Sequence, residues 1–138
     1  ENTCEEIKIQ MGSAWKLEEE FTADIGGRDS LTGLPRRIEL TTEHVREAIE
    51  EPITAIIDAV KSTLDRTPPE LAADIMENGI VLSGGGALVT GLTERVTHET
   101  GMRAAVAPDP LYAVVLGSGQ ALENIEAMRG LLTQTGID

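Results

Sequence analysis

Hydrophobic positions in this chain repeat with two periods, and the switches between them sketch its elements. Ile7, Met11 and Ala14 fall at spacings of four and three, which predicts a helix over about residues 4–14. Thr3 and Glu6 have the spacing of a capping box at its start. Glu18, Glu19 and Glu20 read as a solvated start to the strand that follows. From Phe21 to Ile25 the period becomes two, with Phe21, Ala23 and Ile25 on one face of a half-buried strand. Gly26-Gly27-Arg28-Asp29 reads as a turn and residues 31–35 as a loop. Arg36 to Leu40 alternates again, with Ile38 and Leu40 inward. The two strands form an antiparallel ribbon that needs helices for cover.

Helical spacing returns after Thr41 or Thr42, with Val45, Ala48 and Ile49 on the apolar face. Pro52 is expected to kink or restart this helix, after which Ile53, Ile56, Ile57, Val60 and Leu64 form a long stripe. Thr67-Pro68-Pro69-Glu70 reads as a further cap with Pro68 at N1. The helix it opens carries Leu71, Ile75 and Met76 and stops at Asn78-Gly79. Ile80 to Ser83 is continuously apolar up to its serine, as in a strand covered on both faces. Gly84-Gly85-Gly86 turns the chain into a helix carrying Leu88, Leu92 and Val96, which Gly101 ends. Arg103 to Ala107 is a short strand. Asp109-Pro110 caps a helix of small residues running through Val114, Gly117, Gly119 and Ile125, whose glycines allow close backbone packing. Residues after Gly130 form a short helix or a loose tail. The second half therefore alternates helix and strand, an α/β layer with parallel pairing, while the first half is a small α+β unit.

Composition narrows the chemistry. With 138 residues the chain is one domain or two small lobes sharing a core. Lysine and arginine number 11 against 24 aspartates and glutamates, a net charge of −13 that disfavours nucleic-acid phosphates and anionic lipid. The single cysteine, Cys4, excludes an internal disulfide and a cysteine-rich zinc site. His44 and His98 sit on different helices beside acidic residues and suggest surface positions rather than a metal site. No serine–histidine–aspartate or cysteine–histidine arrangement has a rationale in the spacing, so no catalytic residue is assigned.

The glycine turn remains. Three residues without side chains between a strand and a helix allow close approach of an anion or a sugar to backbone N–H groups. Gly86 and Gly91 have Walker A spacing, but Leu92 stands where the lysine belongs. Gly84 and Gly86 fit a dinucleotide fingerprint, but Val89 ends it. The pattern alone is equally a tight turn without a ligand. Glu5 and Lys8, at i and i+3 on the first helix, are by themselves an ordinary surface pair.

In combination these segments carry a resemblance. The run from Thr3 to Ile9, then Gly12-Ser13-Ala14, Gly27-Arg28-Asp29, Thr32-Gly33-Leu34-Pro35, Glu47-Ala48, Glu51-Pro52, residues 67–72, Gly79 to Leu82, Gly84 to Leu88, Glu99-Thr100-Gly101 and Asp109-Pro110 together resemble the C-terminal part of the MreB family, the bacterial actin homologues. The likeness covers nearly the whole chain. It implies an actin-like ATPase fold of the Hsp70 and sugar-kinase superfamily, with residues 1–66 similar to subdomain IIB and residues 67–138 to the C-terminal part of subdomain IIA.

Within that resemblance ATP lies between the two halves of the molecule, with magnesium carried by the nucleotide. Glu5, Glu6, Ile7 and Lys8 would face the ribose and adenine. Gly84, Gly85, Gly86, Ala87 and Leu88 would face the adenosine and α-phosphate. The family polymerises into filaments on the cytoplasmic side of the membrane that direct cell shape and wall synthesis. The implied partners are further subunits, a RodZ-like membrane protein and the wall-synthesis machinery. The phosphate loops, the catalytic acid and the membrane-contacting parts are expected upstream of Glu1, and no Asp-x-Gly-Thr segment occurs here. The isolated chain is accordingly expected to turn over no ATP and to bind nucleotide weakly or not at all. Cys4 stands where the family commonly has alanine. Two other readings compete with this one: a free-standing actin-like interaction module without nucleotide turnover, and a small acidic enzyme using the glycine turn for a phosphorylated substrate.

Overall fold

The computed structural model describes residues 2–126. Its first helix, α1 (Asn2–Met11), starts earlier than the periodicity suggests, so Thr3 is already helical and does not cap it. It also ends earlier. Gly12 donates to the Lys8 carbonyl at 2.9 Å, and a Cβ on Gly12 would overlap that same oxygen. Ala14 therefore leaves the helix and joins an extended segment, in which Ser13 forms a parallel bridge with Thr90.

The ribbon is longer than expected. β1 (Thr22–Arg28) and β2 (Pro35–Thr41) pair antiparallel from Thr22↔Thr41 to Arg28↔Pro35. Gly26, Gly27 and Arg28 thus belong to the strand, and the turn is Asp29 to Leu34. The Asp29 carboxylate accepts from the amides of Leu31 and Thr32, an Asx turn that does the work assigned to the glycines. Ala23 and Ile25 are half-buried. Ile38, directly opposite Ile25, is exposed rather than inward, because the ribbon runs beyond the helices that cover its base.

α2 (Thr42–Arg66) is one continuous helix. Thr41 is its cap: its hydroxyl accepts from the His44 amide, and His44 Nδ1 accepts from the Thr41 amide. Pro52 lies on the exposed face and does not interrupt the helix, since Val45 before it and Ile53 and Ile57 after it are buried on one side. Tertiary burial overrides the proline here. The next cap also differs from expectation. Thr67 closes α2, donating its hydroxyl to the Thr63 carbonyl, and Pro68 becomes the residue before α3 (Pro69–Asn78), with Pro69 at N1. A residue preceding proline avoids the helical region, which places both Thr67 and Pro68 in extended conformations.

β3 (Ile80–Leu82) and β4 (Ala104–Val106) form a parallel pair in register Ile80↔Ala104. Between them lies α4 (Leu92–Thr100), ended by Gly101 as expected. The core joins Ala14, Ile53, Ile57, Leu92 and Val96, with Ile80, Leu82 and Ala104 packed against it. One face of β3 is therefore covered by α2 and α4. The other is bare, and Val81 is 67% exposed, against the expectation of a strand buried on both sides. α5 (Ala113–Glu123) begins three residues after Pro110. Asp109, with φ of +46°, instead closes a turn by accepting from the Tyr112 amide. A Cβ at Gly117 or Gly119 would meet nothing within 4 Å, so no backbone packs there among the described residues. The expectation for residues after Gly130 falls outside the described residues.

Ion pairs stitch α2 to its neighbours. Lys61 meets Glu99 at 2.6 Å, and Arg95 meets Glu50 at 2.7 Å and Glu99 at 3.2 Å. Glu20, expected to be solvated, pairs with Arg46 at 2.6 Å and accepts the Thr42 hydroxyl. The Arg46 hydrogen bond and then that hydroxyl hold the Glu20 carboxyl below the ordinary glutamate range. The Lys61 hydrogen bond, then its charge, does the same for Glu99. Depressed carboxyls stabilise the fold above their unfolded value and lose that contribution as pH falls through the folded one. The thermal midpoint should therefore fall as pH drops below about 4.3. Glu20→Gln with Glu99→Gln should flatten that limb in a series of melts; an unchanged acid slope would show that other groups carry it.

Candidate functional site

α1 presents Glu5, Lys8 and Ile9, with Gly12 directly past its end, at spacings of three, one and three, which places them along one face. That face looks onto Gly85, Leu88, Val89 and Leu111 across a cleft of about 380 Å³. The volume falls in the range of small-molecule sites. A larger groove of about 550 Å³ lies between α2, α3 and β3, but Ile56, Val60, Leu64 and Ile75 line it and it offers no ionisable group. Convergent charge and bare backbone occur together in the α1 cleft.

The glycine turn is built differently from the expected strand-to-helix turn. Gly84, with φ of +83°, swings the chain outward, and Gly85–Leu88 makes a single 3-10 turn. Within it Ala87 donates to Gly84 at 3.1 Å and Val89 to Gly86 at 3.2 Å. Val89 is extended, Gly91 adopts φ of +76°, and only then does α4 begin. Leu88 is thus not on the buried face of α4 but is exposed beside the cleft. The dipole of α4 is not aimed through the three glycines. The reason is Thr90: its bridge to Ser13, with the Ala14 amide donating to its carbonyl at 2.7 Å, holds extended backbone ahead of the helix. That bridge also brings α1 beside the turn, a link that no local spacing announces.

The sequence-derived site residues divide accordingly. Glu5, Lys8, Gly85 and Leu88 share the cleft. Glu6 is exposed on α1 and does not line it. Ile7 looks the other way, into a groove with Cys4, Leu40, His44 and Ile49. Ala87 is buried beneath the turn. Gly84 spends its amide on the Pro110 carbonyl at 2.8 Å, leaving the amides of exposed Gly85 and Gly86 as those the turn can offer. Ile9 and Gly12 were legible as i+4 and i+7 from Glu5. Leu111 was not. It arrives because Pro110 accepts from both Gly84 and the Ser83 hydroxyl, which docks the loop before α5 on the turn.

Chemically the cleft offers a carboxylate acceptor at Glu5, a cation at Lys8, a backbone donor at Gly85 and apolar walls at Ile9, Leu88, Val89 and Leu111, while Gly86 lies on the turn outside its lining. This set suits a flat heterocycle with vicinal hydroxyls. It is not a metal centre: among the described residues no group of three or more histidine, cysteine, aspartate or glutamate side chains could hold an ion.

Known proteins share this arrangement of elements. The MreB/Mbl protein family model matches residues 1–130. The cell shape-determining protein MreB of Escherichia coli strain K12 is 44% identical over 130 residues, covering 94% of this chain and 38% of that protein. The chain thus spans well under half the length of such relatives. Among solved structures, MreB5 of Spiroplasma citri bound to ADP matches with a TM-score of 0.85 and 32% identity, covering 98% of this chain and 40% of that one. The MamK double helical filament matches with a TM-score of 0.64 and 26% identity, over 80% of this chain and 34% of that one.

Proposed function

Since the chain belongs to the MreB/Mbl protein family and has an actin-like fold, we propose that it supplies the nucleoside wall of an adenine-nucleotide cleft in a cytoskeletal protein. That protein assembles into filaments and determines cell shape. The observation that carries the reading is the convergence of Glu5 and Lys8 with Gly85 and Leu88 on one cleft. ADP in the Spiroplasma relative and the filament formed by MamK support the two halves of the proposal.

Glu5 is suited to accept the ribose hydroxyls, and Lys8 to donate to the ring edge or ribose. The exposed Gly85 amide would meet the α-phosphate side, where a side chain would obstruct approach. Among the described residues Lys8 is the one cation lining the cleft, too little charge to cradle a triphosphate. We assign the β- and γ-phosphate contacts, hydrolysis and magnesium to the other half of the cleft, outside these residues. Growth of the filament at the cytoplasmic face of the membrane, alongside a RodZ-like partner and wall-synthesis enzymes, completes the proposed role. No helix among the described residues is long and apolar enough to cross a membrane.

Titration of this chain with ADP by calorimetry tests the cleft. Weak binding, in the range of tens of micromolar or above, is expected for half a site. Lys8→Gln should weaken it about tenfold, the scale of a charge-assisted hydrogen bond. Sub-micromolar affinity, or binding indifferent to Lys8→Gln, would contradict the reading.

A further inference from the structure

We propose that Arg46 is a positioning residue that sets the gap between the two walls of the α1 cleft without lining it. The inference rests on the nucleoside reading of that cleft. One wall ends at Gly12, and the other includes Leu88 and Val89. Ser13 and Thr90, the next residues along each wall, are joined by the parallel bridge. Whatever holds Ser13 therefore holds both walls.

Arg46 holds it from behind. Its Nη1 donates to Ser13 Oγ at 3.1 Å and to the Trp15 carbonyl at 3.4 Å, while Nη2 binds Glu20 at 2.6 Å. The Thr42 hydroxyl donates to the second oxygen of Glu20, completing a frame between the first turns of α2 and residues 13–20. Ser13 and Thr42 are both fully buried. A planar guanidinium can serve a hydroxyl, a carbonyl and a carboxylate at once, whereas an ammonium offers one point charge that Glu20 would capture. An arginine needed only for an ion pair would have no reason to spend a donor on the cleft-joining segment.

The segment carries its own reporter. Trp15 is the sole tryptophan, and its ring lies 4.8 Å from that of His98 at 47°. A shift of residues 13–15 changes that contact and the emission with it, whether or not nucleotide is bound.

The decisive variant is Arg46→Lys in the full chain, which keeps the pair with Glu20 and so spares the fold. The thermal midpoint should move by only a few degrees, while ADP affinity falls about tenfold and Trp15 emission shifts. Arg46→Ala should show both effects more strongly, with a lowered midpoint. Unchanged ADP affinity and unchanged emission in Arg46→Lys would overturn the proposal, as would a loss of stability alone. If the unsubstituted chain binds no ADP at millimolar concentration, the nucleoside reading fails separately. Trp15 emission then decides the positioning role, a shift supporting it and constancy refuting it.

Discussion

Replacing Gly91 by alanine should destabilise the fold by about 3 kcal/mol and lower the thermal midpoint by roughly 10 °C. Two costs combine. Gly91 has φ of +76°, a region that L side chains rarely adopt, and it is the residue from which α4 springs. An added Cβ would also lie 2.6 Å from the Trp15 Cβ and 3.0 Å from its amide nitrogen. Neither neighbour can yield without opening the Ser13–Thr90 bridge beside it. Gly101 provides the control. Its φ is +71°, but nothing lies within 4 Å of its added Cβ, so Gly101→Ala should cost only the backbone share, about 1 kcal/mol. Equal losses in thermal melts of the two variants would show that the close approach to Trp15 does not matter.

The largest effect on ligand should come from Gly85→Val, which is expected to abolish detectable ADP binding while leaving the midpoint within a few degrees. Gly85 has no positive φ, and the nearest atom to its added Cβ is the tip of Leu111 at 3.4 Å, an ordinary contact. The backbone therefore tolerates a side chain. The cleft does not, because valine's methyl groups would project into the space between the 3-10 turn and α1. Calorimetry beside a melt separates the two outcomes. Retained binding would place the nucleoside elsewhere, and collapse of the fold would make this glycine structural like Gly91. The contrast between the two positions is the physical test of which glycines serve shape and which serve access.

Much of the local structure was legible because it depends on near neighbours. The ribbon, the Ile53–Ile57 stripe, the stop at Gly101 and the parallel pairing of the second half follow from period, glycine placement and alternation. Boundaries were less so. The Thr67 hydroxyl turns back to the Thr63 carbonyl instead of opening α3, and Asp109 closes a turn instead of capping α5. The Thr67 side chain competes between backbone groups on either side of it, whereas at Asp109 the turn is made by the backbone carbonyl and leaves the side chain out of a cap.

By itself, the sequence determined the family, the α/β alternation and the chemical identity of one helical face bearing Glu5 and Lys8, since composition and helical period depend on nothing distant. Tertiary structure alone decided that this face would meet Gly85, that the glycines would coil into a 3-10 turn rather than enter α4, and that Leu111 would close the cleft. The physical reason is a small set of contacts between residues far apart in the chain: Ser13 with Thr90, Arg46 with Ser13, and Pro110 with Gly84. Each is a single polar pairing whose partner no local pattern specifies, and together they determine where the walls of the site stand.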